Sequence, residues 1–173
     1  MISSDSGSAI MREHHVDVIE QELQNFKSIV PYADEATMVL KAHLLVEQSL
    51  WRFIAARITD DELITELRGK YSPVATGKAL VQLARVVAAR DEIPISNGDK
   101  LWPALLKLND LRNTLVHELE PSRDFIQKPM LKIVNAVLGE STTNLNREFY
   151  DATQLLLAYL AIDRAPLTMS DME

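Results

Sequence analysis

The sequence contains no cysteine. Disulfides, thiolate-held metals and a cysteine nucleophile are excluded together, and a reducing compartment is compatible with that absence without being demanded by it. The opening residues, MISSDSGSAIMRE, carry no apolar h-region and do not read as a signal peptide. No apolar run approaches the roughly 20 residues that a membrane span needs, so the expected location is the cytoplasm. Positive charge is also scarce, with a formal net charge of −7. That balance argues against a non-specific nucleic-acid coat, and neither DNA nor a membrane is an expected partner. A small local phosphate site stays open, because residues 100–147 carry seven Lys/Arg against five Asp/Glu. Internal repeats, convincing strands and sustained heptads are all missing.

What the chain does have is helical periodicity. Its 173 residues suit one domain. Residues 1–11 read as a disordered tail, 12–165 as the helical domain and 166–173 as a flexible acidic tail. A first helix spans about 12–30 and stops at Pro31. His14 and His15 lie in its first turn. Neighbours on a helix point about 100° apart, so the pair reads as solvated, and no metal or cofactor is expected. The longest helix, 33–58, has Asp34 as its N-cap. Its apolar residues, Leu40, Leu44, Trp51 and Ile54 among them, cover most of its circumference, which marks a central helix or an interface. Asp60 and Asp61 cap a short helix closed by Gly69. Further helices cover about 74–90, 101–120, 124–138 and 145–165, with 92–99 as a loop. Pro129 predicts a kink or a late start in the fifth of these six helices after the first. The fold class is all-α, a bundle of five or six helices.

Thr76-Gly77-Lys78 invites a phosphate-loop reading, which the spacing rejects. Seven residues separate Gly69 from Gly77, Ala79 follows the lysine, and no strand precedes the run.

The sharpest chemistry lies in 101–120, LWPALLKLNDLRNTLVHELE. On a helical projection Leu101, Leu105, Leu108, Leu115 and Leu119 share one arc, and Arg112 falls near its centre. An unpaired guanidinium on a core-facing stripe costs several kcal/mol or more, so Arg112 needs a partner, a wet cleft or a ligand. Asn109, Asn113 and His117 step by four residues and form a polar ridge beside it. On the longest helix Glu47 is a carboxylate among apolar residues, with His43 one turn back. Glu47 either meets Arg112, as buried charges pair, or sits at an exposed margin paired with His43 or Arg52.

The run around Arg112 resembles the motif helix of the HEPN superfamily (higher eukaryotes and prokaryotes nucleotide-binding domain). The family's mark is Arg, four to six residues, then His, with a polar residue directly after the Arg. Here Arg112 is followed by Asn113, and four residues separate it from His117. The resemblance implies an up-and-down four-helix core with short added helices over about 12–165, and a homodimer whose two motif helices line a shared cleft. Many members are metal-independent endoribonucleases. Some act as toxins or in phage defence, often beside a nucleotidyltransferase-like antitoxin. Others are non-catalytic modules that bind a partner protein or a nucleotide.

The residue types suit RNA cleavage. Attack of a 2′-hydroxyl on the adjacent phosphate needs a proton acceptor, a donor to the leaving 5′-oxygen and positive charge on the phosphorane. His117 can serve as acid or base, Arg112 offers a fixed fork of donors to phosphate oxygens, and Asn113 can orient either. Asn109, Glu47 and His43 are the supporting candidates. One helix separates Arg112 from His117 by about 7.5 Å of rise and about 140° of rotation. Two chains about a two-fold axis would bring the two functions into one site. The plainer reading makes Arg112 an ion-pair partner of Glu47 and His117 a hydrogen-bonded helix end.

Overall fold

The computed structural model describes residues 21, 23–58, 60–69, 72, 77–92, 97–118, 122–139 and 144–162. The tails assigned to 1–11 and 166–173, and the pair His14 and His15, lie outside the described residues. Helix α1 covers residues 23–29. It is followed by α2 (Glu35–Ala55), α3 (Asp61–Leu67), α4 (Gly77–Arg90), α5 (Gly98–His117), α6 (Arg123–Leu138) and α7 (Leu145–Ile162). Every regular element among the described residues is helical. None of these helices is long and apolar enough to cross a membrane.

The caps explain where several helices begin. Asp34 accepts a hydrogen bond from the Thr37 N–H at 2.8 Å and opens α2. Asp60 does the same for the Leu63 N–H at 2.9 Å and opens α3. The start of α5 is different. Asn97 adopts a left-handed conformation, φ 60°, and makes no side-chain cap. Asparagine tolerates that region better than most residues. As a result α5 starts at Gly98, earlier than the expected Leu101, and Pro103 falls inside it. It also ends sooner than expected, at His117, because Glu118 turns extended at ψ 120°. Helix α6 begins at Arg123 and carries Pro129 within its length, so the late start is not observed.

Helices α2, α7, α6 and α5 each pack on the next, and α5 returns to α2, closing a four-membered ring. Helix α4 lies against the α2–α5 side. The centre is filled by residues such as Phe53, Ile54, Leu105, Met130 and Leu160, all 0–1 % exposed. Burial of this kind contributes roughly 25 cal/mol per Å² of apolar surface. Helix α1 is pinned by Phe26, which is fully buried and meets the Tyr150 ring edge-on at 5.2 Å. Polar ties fix the start of α2. Its first residue, Glu35, accepts from Arg123 Nε at 2.8 Å and from Gln127 Nε2 at 2.7 Å, both on α6. Asn146 Nδ2 of α7 donates to the Ala33 carbonyl at 3.1 Å.

The position of α2 in the ring accounts for its apolar circumference, with one departure. Trp51 and Ile54 are buried, but Leu40 and Leu44 are 45 % and 46 % exposed. That uncovered pair lies one turn apart beside His43.

A candidate functional site between three helices

The buried stripe of α5 is Leu101, Ala104, Leu105, Leu108 and Leu111, together with Asn109. Arg112 therefore sits at the margin of the stripe rather than at its centre. Leu111, excluded from the projected arc, takes the place that Leu115 was expected to hold, and Leu115 is only partly buried. The three-residue polar ridge is also graded rather than uniform. Asn109 is 3 % exposed, Asn113 is half-buried and His117 is exposed at the last turn.

Arg112 faces a cavity of about 310 Å³ where α2, α4 and α5 meet. It is lined by His43 and Glu47 of α2, Gly77 and Lys78 of α4, and Asn109, Arg112 and Asn113 of α5. The size suits a small ligand. Five of the six expected site residues, Arg112, Asn113, Glu47, Asn109 and His43, thus come together. His117 does not line this cavity.

The electrostatics follow from burial and from the guanidinium. His43 Nδ1 lies 3.6 Å from Glu47 Oε2, one helical turn away. Of the three expected partners for Glu47, the local imidazole of His43 is the one in contact, and Arg112 acts on both His43 and Glu47 at longer range. Burial pushes the Glu47 carboxyl above its ordinary pKa, against the pull of Arg112. Burial holds the His43 imidazole below its ordinary value. Arg112 adds to that effect, and a hydrogen bond with the Asn109 side chain opposes it. At neutral pH His43 is therefore an uncharged imidazole, able to accept a proton. Arg112 itself is oriented by its own neighbour, since Nη1 donates to Asn113 Oδ1 at 3.1 Å.

Two features of this pocket escaped the sequence. Lys78 reaches its rim and pairs with Asp110 Oδ1 at 2.8 Å. Gly77, at φ +67°, is close-packed against Asn109: a Cβ there would lie 3.1 Å from Asn109 Oδ1. The Gly-Lys pair at a helix start was visible, but it was weighed against a phosphate-loop spacing it does not have. Nothing local signals that the fold would carry it to Arg112.

A second cavity, of about 420 Å³, lies between α5 and α6. Lys107, Lys128 and Lys132 line it together with Leu111, Phe125 and Pro129. Asp110 and Asp124 also face it, so it combines charges of both signs.

No family model, characterised protein or solved structure matches the chain.

Proposed function

We propose that the chain is a HEPN-like endoribonuclease that cleaves RNA without a metal, acting in a dimer as a toxin or phage-defence component. The observation that carries this reading is Arg112, half-buried at the wall of a polar pocket with an uncharged imidazole and two amides beside it.

In the proposed reaction a ribose 2′-oxygen attacks the adjacent phosphorus. Its proton passes to an imidazole, the bond to the 5′-oxygen breaks, and the leaving oxygen takes a proton from an acid. The products are a 2′,3′-cyclic phosphate and a 5′-hydroxyl. Arg112 would hold the phosphorane charge with its fork of N–H donors. Asn113 keeps that fork in place through the 3.1 Å hydrogen bond. His117 stands apart from the pocket of its own chain, so in this reading it serves the pocket of a second copy across a two-fold axis. Exposed apolar side chains favour such a contact: Leu40 and Leu44 flank His43, and Val116, 56 % exposed, lies one turn beyond Arg112.

The test is incubation of the purified protein with varied RNAs in EDTA, beside His117→Ala and Arg112→Ala. Wild type should yield 2′,3′-cyclic ends and both variants should lose at least about a hundredfold in rate. A wild type that cuts nothing, or a His117→Ala protein as active as wild type, rejects the reading.

A non-catalytic HEPN-like module that binds a partner protein or a nucleotide is the second reading. The exposed position of His117 and the net charge of −7 favour it. A nucleotidyltransferase-like antitoxin encoded alongside would favour the first.

A further inference from the structure

The ribonuclease reading makes no use of the second cavity, the groove of about 420 Å³ between α5 and α6. A cavity of this size takes a small organic ligand. Its walls are two matching helix faces. Lys107, Asp110, Leu111 and Thr114 come from α5, and Phe125, Lys128, Pro129 and Lys132 from α6, each set at the spacing of one helical stripe. Residues 118–122 make a short connection and α5 packs on α6, so the two helices run antiparallel. Lys107 and Lys132 therefore share the end of the groove remote from the connection, and Thr114 and Phe125 share the end beside it. The rise from Lys107 to Thr114 is about 10.5 Å.

The groove is sorted by polarity along that length. Leu111, Pro129 and Phe125 supply apolar surface, and the Phe125 side chain is 43 % exposed. An aromatic ring left open to water gains by being covered. Both acids in the lining already have cations. Asp110 meets Lys78 at 2.8 Å, and Asp124 meets Lys128 at 3.6 Å. Among the described residues Lys107 and Lys132 have no ion-pair partner. Two uncommitted ammonium groups thus stand together at one end, in a chain whose net charge is −7. Asp124 lies at the other end, beside Phe125, where it repels an anion. The ligand that matches is amphipathic, with its anionic head at the lysine end and its apolar body reaching Phe125. A protein partner needs a larger seat, since a stable interface covers roughly 800 Å² on each side.

We infer that this groove binds a medium-chain carboxylic acid, its chain lying over Leu111, Pro129 and Phe125 and its carboxylate between the Lys107 and Lys132 ammonium groups. An extended acyl chain of about eight carbons fills a span of about 10.5 Å. None of these residues lines the Arg112 pocket, so the inference stands or falls apart from the ribonuclease reading.

The experiment titrates the ¹⁵N-labelled full chain at pH 8 with octanoate, octanamide, butanoate and dodecanoate at matched ionic strength. Octanoate should move the backbone signals of Leu111, Thr114, Phe125 and Lys128. Octanamide lacks the charge and butanoate cannot reach Phe125, so each should bind at least about tenfold more weakly. Dodecanoate should gain less than about threefold over octanoate, because its last carbons project beyond the groove and stay in water. The double variant Lys107→Gln with Lys132→Gln should bind octanoate about tenfold more weakly and octanamide as well as wild type does. Phe125→Ala should weaken both ligands about fivefold. All three side chains are exposed, so both variants should melt with the wild type. The inference is overturned if octanoate leaves those signals still, if it moves the signals of Leu40, Leu44 and Val116 instead, or if octanamide or butanoate binds as well as octanoate. Affinity that climbs steadily to dodecanoate marks unspecific adsorption and overturns it too, as does full affinity for octanoate in both variants.

Discussion

Glu47 and Arg112 share one cavity without closing an ion pair, and the carboxylate instead lies 3.6 Å from His43 Nδ1. The guanidinium is thus not spent on the carboxylate; Nη1 donates to Asn113 Oδ1 and the group lines the pocket. A cation that a structural partner has not claimed is available for a ligand.

The first prediction concerns that carboxylate. Folded Glu47 holds its proton more tightly than the unfolded chain does, because burial raises its pKa. Folding is therefore penalised above the folded pKa, and the penalty fades as pH falls toward the unfolded value near 4.3. Glu47→Gln should stabilise the fold at pH 8 by about 0.5–1 kcal/mol. The gain should vanish by pH 4. Thermal melts of both proteins across that range check the sign, and a constant or inverted difference refutes it.

Glu35 should behave in the opposite way. Burial pushes its carboxyl up, but its backbone, Gln127 and Arg123 hydrogen bonds outweigh that and hold the pKa below its ordinary value. Its contribution is present above the unfolded value and is lost as pH falls through the folded one. Arg123 is 76 % exposed, so solvent screens much of the pair. Glu35→Gln should cost about 0.5–1 kcal/mol at pH 7. Urea melts at pH 7 and pH 3 should show the two proteins converging in acid.

Gly77→Ala combines two costs. A left-handed φ of +67° is unfavourable for alanine, and the added Cβ would crowd Asn109 Oδ1 at 3.1 Å. The expected loss is about 1–2 kcal/mol, several degrees in melting temperature for a domain of this size. Calorimetry checks it, and an unchanged melting temperature would mean that the start of α4 rearranges freely.

If Arg112 and His117 act across a dimer, two dead variants should rescue one another. Mixing Arg112→Ala with His117→Ala through unfolding and refolding gives hybrids with one intact site of two. About half of the dimers would be hybrid, so about a quarter of wild-type activity should return. No rescue in verified hybrids would place both residues in the site of one chain.

Much of this architecture could be read from the residues, and the failures have physical causes. Asp34 and Asp60 announce their helices because a capping side chain is a local device, set by spacing alone. Arg112 and Glu47 stood out because each is a charge on an apolar face, which needs only helical geometry to detect. The end of α5 at His117 was missed, since the periodicity of Leu115 and Leu119 continued past it. Asn109 was placed on a polar ridge at the margin of the buried face, with no sign that it alone would be fully covered, because projection cannot say how far α4 leans over α5. Lys78 and Gly77 are separated from Arg112 by more than thirty residues of chain, and only the packing of α4 against α2 and α5 unites them.

Helix α2 touches four of its neighbours while carrying His43 and Glu47 on one flank. Loosening of the interior therefore cannot spare the pocket, because the same rod frames both. Substitutions deep among the apolar side chains, remote from Arg112, should consequently surface as heat-sensitive loss of ligand affinity before the domain visibly melts.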